Sequence, residues 1–234
     1  MNKTASNFLN NGIETLKDDK NIEHLIAKRG DYIFSLLAHY INEIELFNKA
    51  YGLVSVKSAE ELVVRHILDS LAPLGIILRL LDIKTTGQDT MPCAIQIADA
   101  GSGAGLPGIP LAITLPDCHF TLIERMGRRA GFLLNTKAVI GLSNITVEEG
   151  EIEKTSAQNF AMVTFRGFKP LDEKLLKTLF NACAKDGVIA AYKGKRKKIE
   201  TEMAPLEKFC SKWESIPYIA PFLEEERHLL IIRP

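Results

Sequence analysis

The sequence predicts an α/β protein with a Rossmann-like, doubly wound, mainly parallel sheet behind an N-terminal helical extension. Three observations carry this expectation. Apolar residues up to about Leu81 recur at spacings of three and four; beyond the loop Lys84 to Pro92 the pattern becomes short apolar runs alternating with helical segments; and a glycine-rich loop follows the first of those runs, where such sheets hold their ligands.

In the helical part, Ile33, Leu36, Leu37, Tyr40, Ile41, Ile44 and Phe47 line one helix face, and nothing before Leu81 resembles a strand. Ser58 with Glu61 three residues on fits a capping box opening a further helix through Leu62, Val63, His66 and Leu71, which Pro73 breaks or kinks. The stretch KTTGQDTMP reads as a linker over 84–92, which separates a helical region, 1–83, from a sheet domain, 93–234. The candidate strands are Ala94–Ala98, Phe120–Ile123, Ile145–Val147, Ala161–Phe165, Val188–Tyr192 and Leu229–Ile232. Between the first five lie helical segments, among them Gly131–Ile140 and Leu171–Ala184, and that alternation implies a parallel sheet with helices on both faces. No internal repeat is visible.

With 234 residues and 46% hydrophobic content the chain can bury a substantial core. Its 29 Lys plus Arg balance 29 Asp plus Glu, which excludes the global positive field of many basic nucleic-acid binders, so a polyanionic partner has to be met by local patches. Cys93, Cys118, Cys183 and Cys210 show neither a CxxC pair nor zinc-ligand spacing; reduced, mostly buried thiols are expected, and no metal site. The N-terminal segment lacks the apolar core of a secretory signal and no stretch approaches a membrane span, so the expected location is cytoplasmic.

The loop itself, IADAGSGAGLPGIPL from Ile97 to Leu111, satisfies two templates. Gly103, Gly105 and Gly108 match GxGxxG, the dinucleotide fingerprint, whereas Asp99, Gly101, Gly103 and Gly105 match DxGxGxG. A carboxylate at the strand end repels a pyrophosphate but suits a sulfonium. Pro107 and Pro110 also withdraw N–H donors from the helix start where a pyrophosphate would need them. The cofactor expected is therefore S-adenosylmethionine, with Asp99, Gly101, Gly103 and Gly105 as contacts. Glu124 ends the next strand, FTLIE, where an acidic residue can accept hydrogen bonds from both ribose hydroxyls.

NKAYGLVSV, VRHILDSL, ADAGSGAGLPGIPL, FRGF, YKG and ERHLLII occur here in the same order as in the bacterial small-subunit ribosomal RNA N7-guanine methyltransferases, long labelled glucose-inhibited division protein B, and the chain resembles that family over roughly Glu45 to Arg233. The resemblance implies an S-adenosylmethionine-dependent methyltransferase fold and an enzyme that methylates N7 of a guanine in the decoding-region loop of 16S rRNA. Its partner is then 16S rRNA or the small ribosomal subunit, with no obligate protein partner or membrane. It further implies cofactor contacts at Gly101 and Leu106, at Ile152 and Glu153 near the adenine, and at Arg166, the one candidate for a catalytic role. Departures from the family pattern are Gly52, Leu53 and Val54 in place of Asn-Leu-Thr, Ala161 in place of an aspartate, and Gly167 in place of alanine. They put the contact between the N-terminal region and the sheet in question. Gly52 and Val54 also keep open methylation of another RNA position or of a non-RNA acceptor; a non-catalytic RNA-binding or assembly role on the same fold is a further alternative, against which the intact Asp99 to Gly105 loop argues.

Guanine N7 carries an in-plane lone pair and attacks a sulfonium methyl without losing a proton, so no general base is needed and catalysis is mainly positioning. Candidates for holding RNA are Arg65 with His66 and Asp69, Arg125, Arg128 and Arg129 after the second strand, Arg166, and the basic run Lys193, Lys195, Arg196, Lys197 and Lys198. His66 on an apolar helical stripe reads foremost as a hydrogen-bonded structural residue. Trp213 and Phe165 read foremost as core, and Phe168 equally as core or as a platform for a flipped base.

Overall fold

The computed structural model describes residues 1–82, 95–155 and 159–234. Helix α1 (Lys3–Thr15) packs against the long α2 (Glu23–Tyr51), which buries Ile26, Ile33, Leu37, Tyr40, Ile41 and Ile44, the stripe expected from a 3.6-residue period. α2 ends at Gly52, whose φ of 59° lies in the left-handed region that a glycine adopts without a Cβ penalty. In α3 (Ala59–Leu62) the hydroxyl of Ser58 accepts from the Glu61 N–H at 3.2 Å, while the Glu61 carboxylate reaches back to the N–H of Lys57, one residue beyond the usual capping-box partner. The helix then widens into a π-helical turn over Val63–Leu68 before α4 (Asp69–Leu71), an irregularity that apolar spacing does not reveal. Pro73 precedes α5 (Leu74–Leu80).

The sheet has seven strands in the order β3-β2-β1-β4-β5-β7-β6. β1 (Ile95–Ala100), β2 (Cys118–Glu124), β3 (Ile145–Glu149), β4 (Phe160–Arg166) and β5 (Cys183–Lys193) are parallel. β7 (Arg227–Arg233) runs antiparallel to both β5 and β6 (Lys212–Tyr218). β6 is absent from the sequence reading, because an edge strand written KWESIPY is neither an apolar run nor a clean alternation, and its Pro217 is tolerated at an edge. β5 begins five residues before the expected Val188, so α8 (Glu173–Ala182) stops short of the expected Ala184. The linker 84–92, Cys93 and the expected strand start at Ala94 lie outside the described residues.

α6 (Gly108–Thr114) and α7 (Gly127–Ile140) cover one face of the sheet together with the N-terminal helices. Their shared core includes Tyr40, Leu68, Ile109, Phe120 and Leu133. α8 and α9 (Arg196–Met203) cover the other face, burying Leu176, Leu179, Ile199 and Met203 against Phe165 and Leu230. Buried residues of the N-terminal helices share one cluster with those of α6, α7 and the sheet, each fully buried aliphatic side chain contributing roughly 1.5–3 kcal/mol. The Tyr40 hydroxyl fixes the join, donating to the carbonyl of Ala104 at 2.6 Å. The chain moves outward from β1 to β2 and β3, then crosses back to β4, so β1 and β4 are adjacent strands whose following loops part in opposite directions. That is where a doubly wound sheet opens a crevice at the strands' carboxyl ends. No helix among the described residues is long and apolar enough to cross a membrane.

Candidate functional site

Two adjoining cavities occupy that crevice. The larger, about 570 Å³, is bounded by Leu53 to Ser55, by the loop Gly101 to Ala104 with Leu106, and by Arg65, His66, Arg166, Tyr218 and Arg227. The smaller, about 250 Å³, is lined by Glu124, Arg125, Met126, Ile152, Glu153 and Phe168. Gly101, Arg129 and Gly167 line both.

The loop glycines do different work. Gly101, Gly103 and Gly105 all have positive φ, at 70°, 59° and 91°. A Cβ on Gly101 would fall 2.3 Å from the Phe168 ring, so glycine there lets the ring close over the loop. A Cβ on Gly103 would come no nearer than 3.9 Å to the Gly101 carbonyl oxygen and 4.0 Å to Arg129 Nη1, so this face of the backbone stays accessible to a ligand. At Gly105 it would fall 2.4 Å from Ile109 Cδ1, and the residue lines neither cavity. Its bareness serves loop-to-helix packing.

Asp99, at the end of β1, is fully buried beneath the loop and also lines neither cavity. Its Oδ2 accepts from the Ser102 hydroxyl at 2.5 Å and from the Gly108 N–H at 3.0 Å, and its Oδ1 is buried without a partner. Burial raises its pKa to about 6, against the opposing pull of those two hydrogen bonds. It braces the loop and supplies negative potential from below. Glu124 does reach the smaller cavity: Oε2 accepts from the Gly103 N–H and Oε1 from the Met126 N–H, each at 2.8 Å. Each carboxylate oxygen keeps a lone pair for a further donor.

Arg166, ending β4, is the centre of a network in the larger cavity. Its Nη1 lies 3.2 Å from both Asp69 Oδ2 and the His66 carbonyl, and Nη2 lies 3.1 Å from His66 Nδ1. Asp69 Oδ1 also accepts from the Tyr218 hydroxyl at 3.0 Å and pairs with Arg227 Nε at 3.3 Å. Burial, then the Arg166 charge, push the His66 pKa down to about 4. A guanidinium only donates, so His66 Nδ1 accepts and its proton sits on Nε2. His66, in the π-helical turn, and Asp69, opening α4, stand three residues apart and so present to the same guanidinium. Tyr218 and Arg227 were not among the residues singled out from the sequence; the only signal was Arg227's position inside the quoted ERHLLII.

The other basic candidates divide. Arg65 pairs with Glu61 at 3.2 Å and with Glu225, and Lys193, in the wall of the larger cavity, pairs with Glu202 at 2.7 Å. Arg196 pairs with Glu200 at 2.9 Å, while Lys195, Lys197 and Lys198 are exposed around the start of α9. Arg125 and Arg128 are exposed, whereas Arg129 is half-buried and its Nη2 donates to the Gly52 carbonyl at 3.0 Å. The contact that the Gly52 departure put in question is thus made through backbone. Trp213 is half-buried and donates to Glu207 at 3.1 Å, and Phe165 is core.

Residues 33–230 match the family described as rRNA small subunit methyltransferase G, GidB. The chain is 38% identical to the Ribosomal RNA small subunit methyltransferase G of Treponema denticola, with 97% of this chain and 96% of that one covered. It is 34% identical to the Escherichia fergusonii protein of the same name, with 100% and 98% covered. Among solved structures, a human methyltransferase 10 domain containing protein aligns with a TM-score of 0.54 at 15% identity, covering 85% of this chain and 97% of that one. The N-terminal domain of human METTL16 in complex with SAH aligns with a TM-score of 0.52 at 16% identity, covering 84% and 81%. At those identities the likeness is one of fold.

Proposed function

The chain belongs to the rRNA small subunit methyltransferase G (GidB) family, and from that premise we propose that it transfers the methyl group of S-adenosylmethionine to N7 of a guanine in the decoding-region loop of 16S rRNA, in the bacterial cytoplasm. The observation that carries the reading is the pair of adjoining cavities at the β1–β4 switch point, sharing the Gly101 backbone.

The residues present fit the cofactor. Glu124, Ile152 and Glu153 line the smaller cavity, where Glu124 would offer lone pairs to ribose hydroxyls and the other two would hold the nucleoside end, and the accessible face of Gly103 would admit a ligand against the main chain. When bound, S-adenosylmethionine supplies a methyl group on a positively charged sulfur. Around it the chain supplies position and potential. The buried Asp99 sets negative charge under the loop, and Arg65, Arg166 and Arg227 make the larger cavity attractive to a polyanion. Because guanine N7 needs no deprotonation, a neutral His66 whose Nδ1 is occupied by Arg166 is compatible with the reaction: it orients Arg166 rather than moving a proton.

The test is to incubate the protein with methyl-labelled S-adenosylmethionine and either 16S rRNA or small subunits lacking the modification, then to digest the RNA to nucleosides. Label in N7-methylguanosine supports the proposal; label in another nucleoside, or none with either substrate, overturns it.

A further inference from the structure

Five cationic side chains, Arg65, Arg129, Arg166, Lys193 and Arg227, line the larger cavity. Four of them pair with carboxylates: Arg65 with Glu61 and Glu225, Lys193 with Glu202, and Arg166 and Arg227 with the one carboxylate of Asp69, which they share. Among the described residues no carboxylate pairs with Arg129. Its Nε is buried without a partner, and its Nη2 is held by the Gly52 carbonyl at 3.0 Å. Its Nη1 lies 4.0 Å from where a Cβ on Gly103 would stand, over the open face of the glycine loop and at the junction of the two cavities. A half-buried guanidinium with spare donors, fixed in place and lacking a counter-charge, is built to receive an anion.

We propose that Arg129 is the residue that binds the carboxylate of the cofactor's methionine moiety. The assignment rests on the cofactor reading above. The cofactor carries an ammonium and a sulfonium beside that carboxylate, and the acids nearest the loop, Asp99 and Glu124, suit its cationic and hydroxyl groups but repel the carboxylate. The carboxylate therefore needs a cation within reach of the glycine loop, and Arg129, whose Nη1 stands beside Gly103 and which has no carboxylate partner among the described residues, supplies one. Arg125 and Arg128 flank it in sequence and are exposed, the better arrangement for RNA phosphates. Gly52 gains a role as well: its left-handed conformation caps α2 and turns its carbonyl to the guanidinium, so the N-terminal region helps to orient a cofactor ligand.

Calorimetric titration of the protein and of Arg129→Met with three probes tests this: S-adenosylmethionine, its decarboxylated analogue, and 5′-methylthioadenosine, which lacks the whole amino-acid end. The parent protein should prefer S-adenosylmethionine to the decarboxylated analogue by on the order of ten- to a hundredfold, the range for hydrogen bonds to a charged group. Arg129→Met should abolish that preference while leaving 5′-methylthioadenosine binding unchanged, and Arg129→Lys, which keeps the charge but loses the fork, should fall between. Equal weakening of all three probes by Arg129→Met means the residue only shapes the site and overturns the proposal. An unchanged preference, with weakened RNA binding, makes Arg129 a phosphate ligand and overturns it too. Failure of the parent protein to bind S-adenosylmethionine at all overturns the proposed function along with it, so the two failures are distinguishable.

Discussion

Asp69 Oδ2 on α4 lies 3.2 Å from Arg166 Nη1 at the end of β4, and through its other oxygen the same carboxylate holds Arg227 and Tyr218 on the antiparallel edge of the sheet. One buried acid therefore ties the N-terminal region, the parallel strands and the β6–β7 hairpin around the larger cavity. Asp69→Ala should destabilise the protein by up to about 3–5 kcal/mol, the cost of stripping one partner from a buried ion pair, moderated by the partial exposure of both arginines. Urea unfolding checks this, and a loss within 0.5 kcal/mol, the scatter of ordinary surface substitutions, would show the network to be incidental.

Glu124→Ala should weaken S-adenosylmethionine by about 1–3 kcal/mol, the usual cost of losing hydrogen bonds to a charged group. Because Glu124 also receives the N–H groups of Gly103 and Met126, Glu124→Gln should lose less, keeping one acceptor for the loop. Equal dissociation constants for the parent and both variants would remove Glu124 from the site.

Gly103 and Gly105 should part company on substitution. Gly103→Val fills the open face of the loop and should abolish cofactor binding while the fold persists. Gly105→Ala drives a methyl group into Ile109 at φ 91° and should instead cost roughly 1–3 kcal/mol of stability, the range for an overpacked core. Thermal unfolding and calorimetry on the two variants separate these effects, and a Gly105→Ala protein of parental stability would contradict the packing role.

His66 makes a signed pH prediction. Its folded pKa of about 4 lies below the ordinary 6.5 of a histidine because burial and Arg166 disfavour the cation, with Glu61 opposing and Arg65 assisting. Between those values the unfolded chain binds the proton and the folded one does not, so this histidine's contribution to stability falls as pH drops from 6.5 to 4 and is recovered above 6.5. Subtracting the stability curve of His66→Gln from the parent's isolates it from Asp99, whose raised pKa works in the opposite sense across the same range. A flat difference curve would mean that His66 titrates normally.

Replacing Lys195, Arg196, Lys197 and Lys198 together by alanine should leave S-adenosylmethionine affinity nearly unchanged, weaken RNA binding, and flatten its salt dependence by a slope of roughly one or somewhat less per lost phosphate contact. RNA affinity and salt slope equal to the parent's would make this run a solvated face and shift the phosphate contacts to Arg125 and Arg128.

The features legible in the sequence are those written locally. The α2 stripe, the apolar cores of six strands, and the Asp99 to Gly105 pattern at a strand end need only neighbouring residues to be read. β6 was not legible, because an edge strand needs no continuous apolar face. The Asp69 network joins positions as distant in the chain as Asp69 and Arg227, and no spacing rule links them. Asp99 and Gly105 were found as members of a motif, but their parts within it, bracing the loop from below and closing it on α6, depend on side chains of Ser102 and Ile109 that the motif leaves unspecified.

The most direct measurement is to map N7-methylguanosine along 16S rRNA from cells with the gene, without it, and with the gene restored as parent or as Gly103→Val. One N7-methylguanosine in the decoding-region loop should vanish on deletion, return with the parent protein, and fail to return with the variant that cannot hold the cofactor. A 16S rRNA whose N7-methylguanosine pattern is the same in all four strains would contradict the assigned activity.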